Sequence, residues 1–206
     1  MNSLETSFRT KPYFRSNKRG NLIILSGPSG VGKTTLREGL QKRIPDLRFS
    51  VSWTTRPQRP GEIMGQDYRF VSKKQFEEKM KADGFLEWAR VHNEYYGTPK
   101  APILRWMGKG EDVLLDIDIQ GAKQVKKQLP ESIGIIILPP SKKELQKRLI
   151  HRQTEPPSKI RIRLKNAETE IGSKGRFDYA VTNQEIRSAV DDLETIIKAA
   201  RLRVKK

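Results

Sequence analysis

The chain of 206 residues is predicted to be an α/β protein with a central parallel sheet flanked by helices. Three observations carry the prediction. Four short apolar runs, at 22–25, 113–117, 133–138 and 179–182, have the length and composition of strands buried on both faces. Helical apolar spacing falls between or after them, at 33–44, 119–129, 142–151, 158–171 and 184–203. Between the first run and the first helical pattern stands Gly27-Pro28-Ser29-Gly30-Val31-Gly32-Lys33-Thr34, a complete G-x-x-x-x-G-K-[ST] phosphate-binding loop in the order strand, loop, helix.

Residues 1–20 read as a basic arm, with Arg9, Lys11, Arg15, Lys18 and Arg19 against Glu5. They lack the apolar centre of a secretory signal. The core begins at Asn21. In the loop, the glycines let the backbone curl so that its N–H groups face phosphate oxygens. Lys33 can bridge the outer phosphates and Thr34 can ligate Mg²⁺. Leu36, Leu40 and Ile44 then mark the apolar face of a helix whose positive end adds to the same anion site.

Residues 50–101 interrupt the alternation. Two arginines, Arg56 and Arg59, are held between Pro57 and Pro60, which makes them stiff forked donors suited to a phosphate. Ser72-x-x-Gln75 caps a short helix through about 80. Trp53, Tyr68, Phe70, Phe76, Phe85, Trp88, Tyr95 and Tyr96 cluster here. The segment reads as an inserted α+β lobe at the carboxyl ends of the strands, facing the loop. Tyr68 and Tyr96 offer hydroxyl donors, and Glu87 is an acid between apolar neighbours, suited to accept two N–H bonds from a base edge.

Asp116 and Asp118 close the run Val113-Leu114-Leu115-Asp116-Ile117-Asp118. Alternate residues of a strand share a face, so both acids are expected to look into one cleft, where such proteins hold Mg²⁺, often through water. After Pro139-Pro140, Ser141-x-x-Glu144 fixes another helix start.

Composition narrows the function. With no cysteine, disulfides and thiolate metal sites are excluded, and with two histidines, His92 and His151, a His-rich metal site is not expected. No apolar stretch reaches spanning length, and a cytoplasmic enzyme is expected. Lys and Arg number 41 against 24 Asp and Glu, a net charge of +17. The excess concentrates in the two ends and in 142–165, which favours basic tails plus a site for polyanionic small molecules over dedicated nucleic-acid binding.

These motifs together resemble the guanylate kinase family. The similarity rests on the phosphate loop with its following Thr35-Leu36, and on Phe49-Ser50-Val51-Ser52-x-Thr54-Thr55-Arg56-Pro57-x-Arg59-Pro60-Gly61-Glu62. It extends to Gly65-x-Asp67-Tyr68-x-Phe70-Val71, Phe85-Leu86-Glu87-Trp88-Ala89, Tyr95-Tyr96-Gly97-Thr98 and Leu115-Asp116-Ile117-Asp118-x-Gln120-Gly121. It runs from about Asn21 to Arg203. The resemblance implies a P-loop core (21–50, 102–141 and 172–206), a GMP-binding lobe (51–101) and a helical lid (142–171). It implies Mg²⁺-dependent transfer of the γ-phosphoryl group of ATP to GMP and dGMP. ATP would meet Gly27, Pro28, Ser29, Gly30, Val31, Gly32, Lys33, Thr34, Thr35 and Asn183, and Mg²⁺ would meet Thr34 and, through water, Asp116. The GMP phosphate would meet Arg56, Arg59, Tyr68 and Tyr96, and the guanine Ser52, Glu87, Thr98 and Asp118. Lys33 with the lid arginines Arg148, Arg152 and Arg163 would act on the transferring group. Monomer and homo-oligomer stay open.

Two departures from the family pattern stand out. Trp53 follows Ser52 where a small residue or His is usual, and is expected to alter packing near the base. His151-Arg152-Gln153-Thr154-Glu155-Pro156-Pro157 replaces a glycine-bearing lid segment, so altered lid kinetics are expected.

Overall fold

The computed structural model describes residues 19–91, 93–151 and 157–204. Along the chain run β1 (Leu22–Ser26), α1 (Lys33–Arg43), β2 (Arg48–Phe49), β3 (Trp53–Thr54), β4 (Arg69–Phe70), α2 (Lys73–Lys81), β5 (Phe85–Val91) and β6 (Glu94–Pro99). There follow α3 (Lys100–Gly108), β7 (Val113–Asp116), α4 (Ile119–Gln128), β8 (Ile133–Leu138), α5 (Lys142–His151), α6 (Pro157–Gly172), β9 (Tyr179–Thr182) and α7 (Ile186–Leu202).

β1 is the centre of a five-stranded sheet ordered β2-β7-β1-β8-β9, in which every pairing is parallel. Its alternate side chains divide the core. Ile23 and Leu25 pack with Leu36 and Leu40 of α1 and Leu193 and Ile197 of α7. Leu22 and Ile24 face the other way, onto Ile103 and Met107 of α3 and Val125 of α4. Burying each such side chain is worth about 1.5–3 kcal/mol, and the period-2 division forces helices onto both faces.

The four predicted strands are present, the first extended to Ser26 and the second ending at Asp116. Two elements were not anticipated. β2 has only two residues, too few for periodicity to register. α3 starts after Pro99 and carries Pro102 in its first turn, where the missing N–H is not needed.

Residues 53–99 build a second sheet, ordered β4-β3-β6-β5, with β3 and β4 parallel and the other pairs antiparallel. α2 closes one side, its capping box formed by Ser72 and Gln75 as predicted. Phe76 stacks on Phe85 and Tyr95 at 4.4 and 5.3 Å.

The C-terminal end differs from the expected tail, because α7 runs to Leu202. Most of the predicted arm lies outside the described residues, but Gly20 is buried and donates its N–H to Met107 at 2.8 Å. At the other end, α7 carries Lys198 and Arg201 of the basic cluster. Arg201 pairs with buried Asp112 at 2.7 Å and with Asp46 at 2.9 Å, and Lys198 pairs with Glu194.

Candidate functional site

The loop between β1 and α1 is shaped by backbone. Gly27 and Gly32 hold φ of 143° and 98°, and a Cβ on either would lie 2.4 Å from Ile137 O or 2.6 Å from Asn183 Nδ2. Gly32 caps α1 with no side-chain hydrogen bond, and no acid stands in the first turn. The first N–H groups of α1 are therefore left for an anion. Lys33 Nζ donates to Gly27 O at 2.8 Å, which folds the ammonium over the loop.

The loop forms one wall of a cleft of about 240 Å³. Ser29, Gly30, Gly32, Lys33, Thr34 and Thr35 line one side, Ser52, Asp67 and Tyr68 line the other, and Asp116 lies at the end of β7. Thus the structure brings together the predicted loop, the two predicted metal ligands and part of the predicted acceptor set. Burial pushes the Asp116 carboxyl up, while Lys33 and Arg37 oppose the shift. Burial, with the charge of Asp116 next, also pushes the Tyr68 phenol up.

Arg56 is held by a residue that sequence reasoning gave no role. Glu62 accepts from both its terminal nitrogens, at 3.0 and 2.7 Å, and also from Arg59 N at 2.8 Å. This fork raises the Arg56 pKa and lowers that of Glu62. The Arg56 guanidinium also lies 5.4 Å from the ring of Tyr68, which meets Tyr96 edge-on at 5.9 Å. Arg59 is exposed.

Glu87 is not an outward-facing strand residue. It is 6% exposed and accepts the hydroxyl of buried Thr98, its cross-strand partner. Burial pushes its carboxyl up to about 7 against the pull of Thr98, with the charge of Asp118 adding to the rise. The carboxylate rests against the first turn of α4, where a Cβ on Gly121 would lie 2.7 Å from Oε2. Gly121 thus makes room for Glu87, a role that only the folded packing reveals.

Asp118 departs from its predicted place. The strand ends at Asp116, and Asp118 N-caps α4, its Oδ1 accepting from Gly121 N at 2.7 Å. It is exposed and near Glu87, but as a helix cap rather than as a strand neighbour of Asp116. Its preference for capping explains the early strand end.

Asn183 follows β9 and meets the loop, Nδ2 donating to Val31 O at 2.7 Å. Its buried Oδ1 has no partner. Arg148 of α5 bonds the same corner, donating to Asn183 O at 3.2 Å and Val31 O at 3.5 Å, with Glu144 at 3.3 Å along its own helix. Ser141 Oγ caps that helix at Glu144 N, as predicted. Arg163 of α6 reaches Ser29 Oγ at 3.3 Å. Arg152 lies outside the described residues, as does the stretch 152–156. Glu170, also without a predicted role, lines a polar groove with Asp118 and Asn166. Burial raises its pKa against the charge of Lys33.

Trp53 turns its ring toward α2. Its ring meets Phe85 edge-on at 5.9 Å and lies between Arg69 and Lys79, each 4.7 Å from its centroid, on the α2 side of the second sheet.

Comparison with known proteins agrees with this geometry. Residues 19–200 match the family model described as guanylate kinase. The chain is 47% identical to the guanylate kinase of Clostridium tetani, over 91% of this chain and 89% of that one. It is 48% identical to a guanylate kinase of Thermus thermophilus, over 90% and 84% respectively. Among solved structures, guanylate kinase from Anaplasma phagocytophilum superposes with a TM-score of 0.76 at 31% identity, covering 91% of this chain and 89% of that one.

Proposed function

The chain belongs to the guanylate kinase family, and we propose that it transfers the γ-phosphoryl group of ATP to GMP, and to dGMP, giving ADP and the nucleoside diphosphate. The single observation that carries this reading is the juxtaposition in one cleft of a complete phosphate loop with residues of a second lobe, beside a buried carboxylate. In this reading 51–101 is the GMP lobe, 142–171 the lid, and the remainder from 21 onward the core.

The loop N–H groups and Lys33 hold the triphosphate of ATP. Asn183, whose Nδ2 donates to Val31 O, joins the segment after β9 to this loop on the ATP side. Arg56, Arg59, Tyr68 and Tyr96 hold the acceptor phosphate, with Glu62 presenting Arg56 as a fixed fork. Glu87, with Thr98, Ser52 and Asp118, reads the base. Guanine offers N1–H and N2–H₂ side by side to one carboxylate, whereas adenine turns an unprotonated N1 toward it. A site built for such a pair rejects the wrong base strongly, because its buried acceptor is then left unpaired.

Mg²⁺ fits the donor set. Thr34 and Asp116 are hard oxygen ligands lining the cleft. Among the described residues no cluster of three or more His, Cys, Asp or Glu could hold an ion unaided. That suits an ion that takes most of its ligands from phosphate and water. When bound, it would neutralise charge on the transferring phosphates. Phosphoryl transfer needs positioning and charge stabilisation more than covalent help. Lys33 and Arg163 supply that charge from loop and lid, together with Arg152. Arg148 works from the Val31–Asn183 corner. Closure of α5 and α6 would exclude water and suppress ATP hydrolysis. No helix among the described residues is long and apolar enough to cross a membrane, and a cytoplasmic site of action is part of the proposal.

A coupled assay of ADP release with Mg²⁺ and ATP against GMP, AMP, CMP and UMP tests it. GMP-dependent turnover far above the other three is expected. Its absence would overturn the reading.

A further inference from the structure

Arg37 has no place in the predicted site, yet it lines the same cleft. It stands one helical turn beyond Lys33, so both project from one face of α1. Its side chain is only 12% exposed. The guanidinium carbon lies over the ring of Phe49, at the end of β2, 4.4 Å from its centroid. Polar satisfaction is poor. Nε is buried with no hydrogen-bond partner, and the nearest acid is Glu38, 3.6 Å from Nη2 and itself 57% exposed. A structural arginine in such a place normally has its donors paired. This one stacks on Phe49, lines the cleft and has only the exposed Glu38 near its terminal nitrogens.

Its surroundings say which anion it serves. The triphosphate side of the cleft is the loop and the N-terminus of α1. Arg37 is a turn further along the helix, about 5–6 Å away, beside Phe49. Ser52 and Tyr68, across the same cleft, belong to the acceptor lobe. Asp116, at the end of β7, lines the same cleft as Lys33 and Arg37. Arg56, the other fork expected at the acceptor phosphate, is engaged by Glu62.

We propose that Arg37 is an acceptor-phosphate residue: it binds the phosphate of the incoming nucleoside monophosphate from the core side of the cleft, opposite Arg56 and Tyr68. The proposal rests on the reading of this cleft as a GMP kinase site. It adds a fixed cation of the core to a phosphate site otherwise carried by the second lobe. The acceptor would then be held in line with the donor from both walls.

The test compares GMP with guanosine, which keeps the base and lacks the phosphate, on the full-length protein and on Arg37→Gln and Arg37→Lys. Binding is read by calorimetry for GMP and by ligand-observed NMR for guanosine. Arg37→Gln is expected to weaken GMP at least tenfold, leave guanosine within twofold, and leave the KM for ATP unchanged. Arg37→Lys, which keeps charge but loses the fork, is expected to fall between. Equal losses for GMP and guanosine would overturn the proposal, as would a shift confined to the KM for ATP, or unchanged GMP binding. If Arg37→Gln does not fold, the Lys variant decides alone: a GMP-over-guanosine preference equal to wild type contradicts the proposal. A wild-type protein that fails to bind GMP overturns the kinase reading with it, whereas intact GMP turnover and binding with a silent Arg37 overturns only the role of Arg37.

Discussion

On the proposed reading, the ligand-facing groups of the phosphate loop are backbone N–H donors, placed by glycine dihedrals and by the end of a helix anchored in the sheet. In the second lobe they are side chains from separate segments, and their positions depend on one another. Glu62 aligns Arg56, Thr98 bonds Glu87, and Gly121 of a core helix leaves the space that Glu87 occupies. The first is positioned by a buried scaffold, the second by polar pairs between side chains. The difference suits the chemistry: a triphosphate is recognised as charge, which backbone dipoles supply, whereas a particular base is recognised by a matched donor and acceptor pattern.

The comparison implies that the halves can be broken separately, and the largest effect is expected on the donor side. Lys33→Ala should lower kcat by about 10²–10³-fold or more, the scale for losing one preorganised charge-stabilising donor. Single-turnover kinetics measure this, and GMP affinity by calorimetry should be preserved.

Glu87→Gln comes next. Exchanging an acceptor-only carboxylate for an amide is expected to raise the KM for GMP by about 10–100-fold, from about 1.5–3 kcal/mol for a charge-assisted hydrogen bond. An unchanged KM would remove Glu87 from base reading. The same carboxyl gives a signed pH dependence. Its folded pKa of about 7 lies above the unfolded value of 4.5, so the folded state keeps a proton that the unfolded chain releases between those values. The ionised, buried group therefore costs stability as pH rises from 4.5 to 7, by up to about 3 kcal/mol above pH 7. Glu87→Gln should raise Tm over wild type more at pH 8 than at pH 5. GMP, which needs the ionised form, should bind wild type more weakly as pH falls below about 7, and the Gln variant should lose that dependence.

Gly32→Ala should cost about 1–3 kcal/mol, because alanine meets a positive φ and Asn183 Nδ2 together. Denaturant unfolding reads the loss, and weakened ATP binding with intact GMP binding would place it on the donor side. The smallest effect is expected at Glu62→Gln, about 3–10-fold in the KM for GMP with kcat little changed, since Arg56 keeps its charge and loses only its alignment.

The contrast between the halves also explains what could be read before the structure. The loop, β1 and α1 form one continuous segment with a backbone-encoded pattern, so Gly27 to Thr34 announced both fold and ligand class. Arg56, Arg59, Tyr68 and Glu87 were legible through family resemblance, and their residue types suited phosphate and base. Glu62 and Gly121 were not: Glu62 bonds Arg56 and Arg59 only through the fold of their loop, and Gly121 meets Glu87 from a distant segment. Arg37 did carry a signal, its spacing of one turn from Lys33, but an arginine on an amphipathic helix is ordinarily a solvated charge. Asp118 was misplaced because strand alternation and helix capping compete at the end of an apolar run, and the cap prevailed. Two-residue strands such as β2 and β4 are defined by their partners alone.

The most direct test is a paired binding measurement. A non-hydrolysable ATP analogue with Mg²⁺, and separately GMP, are titrated calorimetrically into wild type, Lys33→Ala and Glu87→Gln. The expected result is a double dissociation: Lys33→Ala weakens the analogue and keeps GMP, and Glu87→Gln weakens GMP and keeps the analogue. Loss of both ligands in either variant would contradict the separation of the two half-sites, and so would retention of GMP in Glu87→Gln.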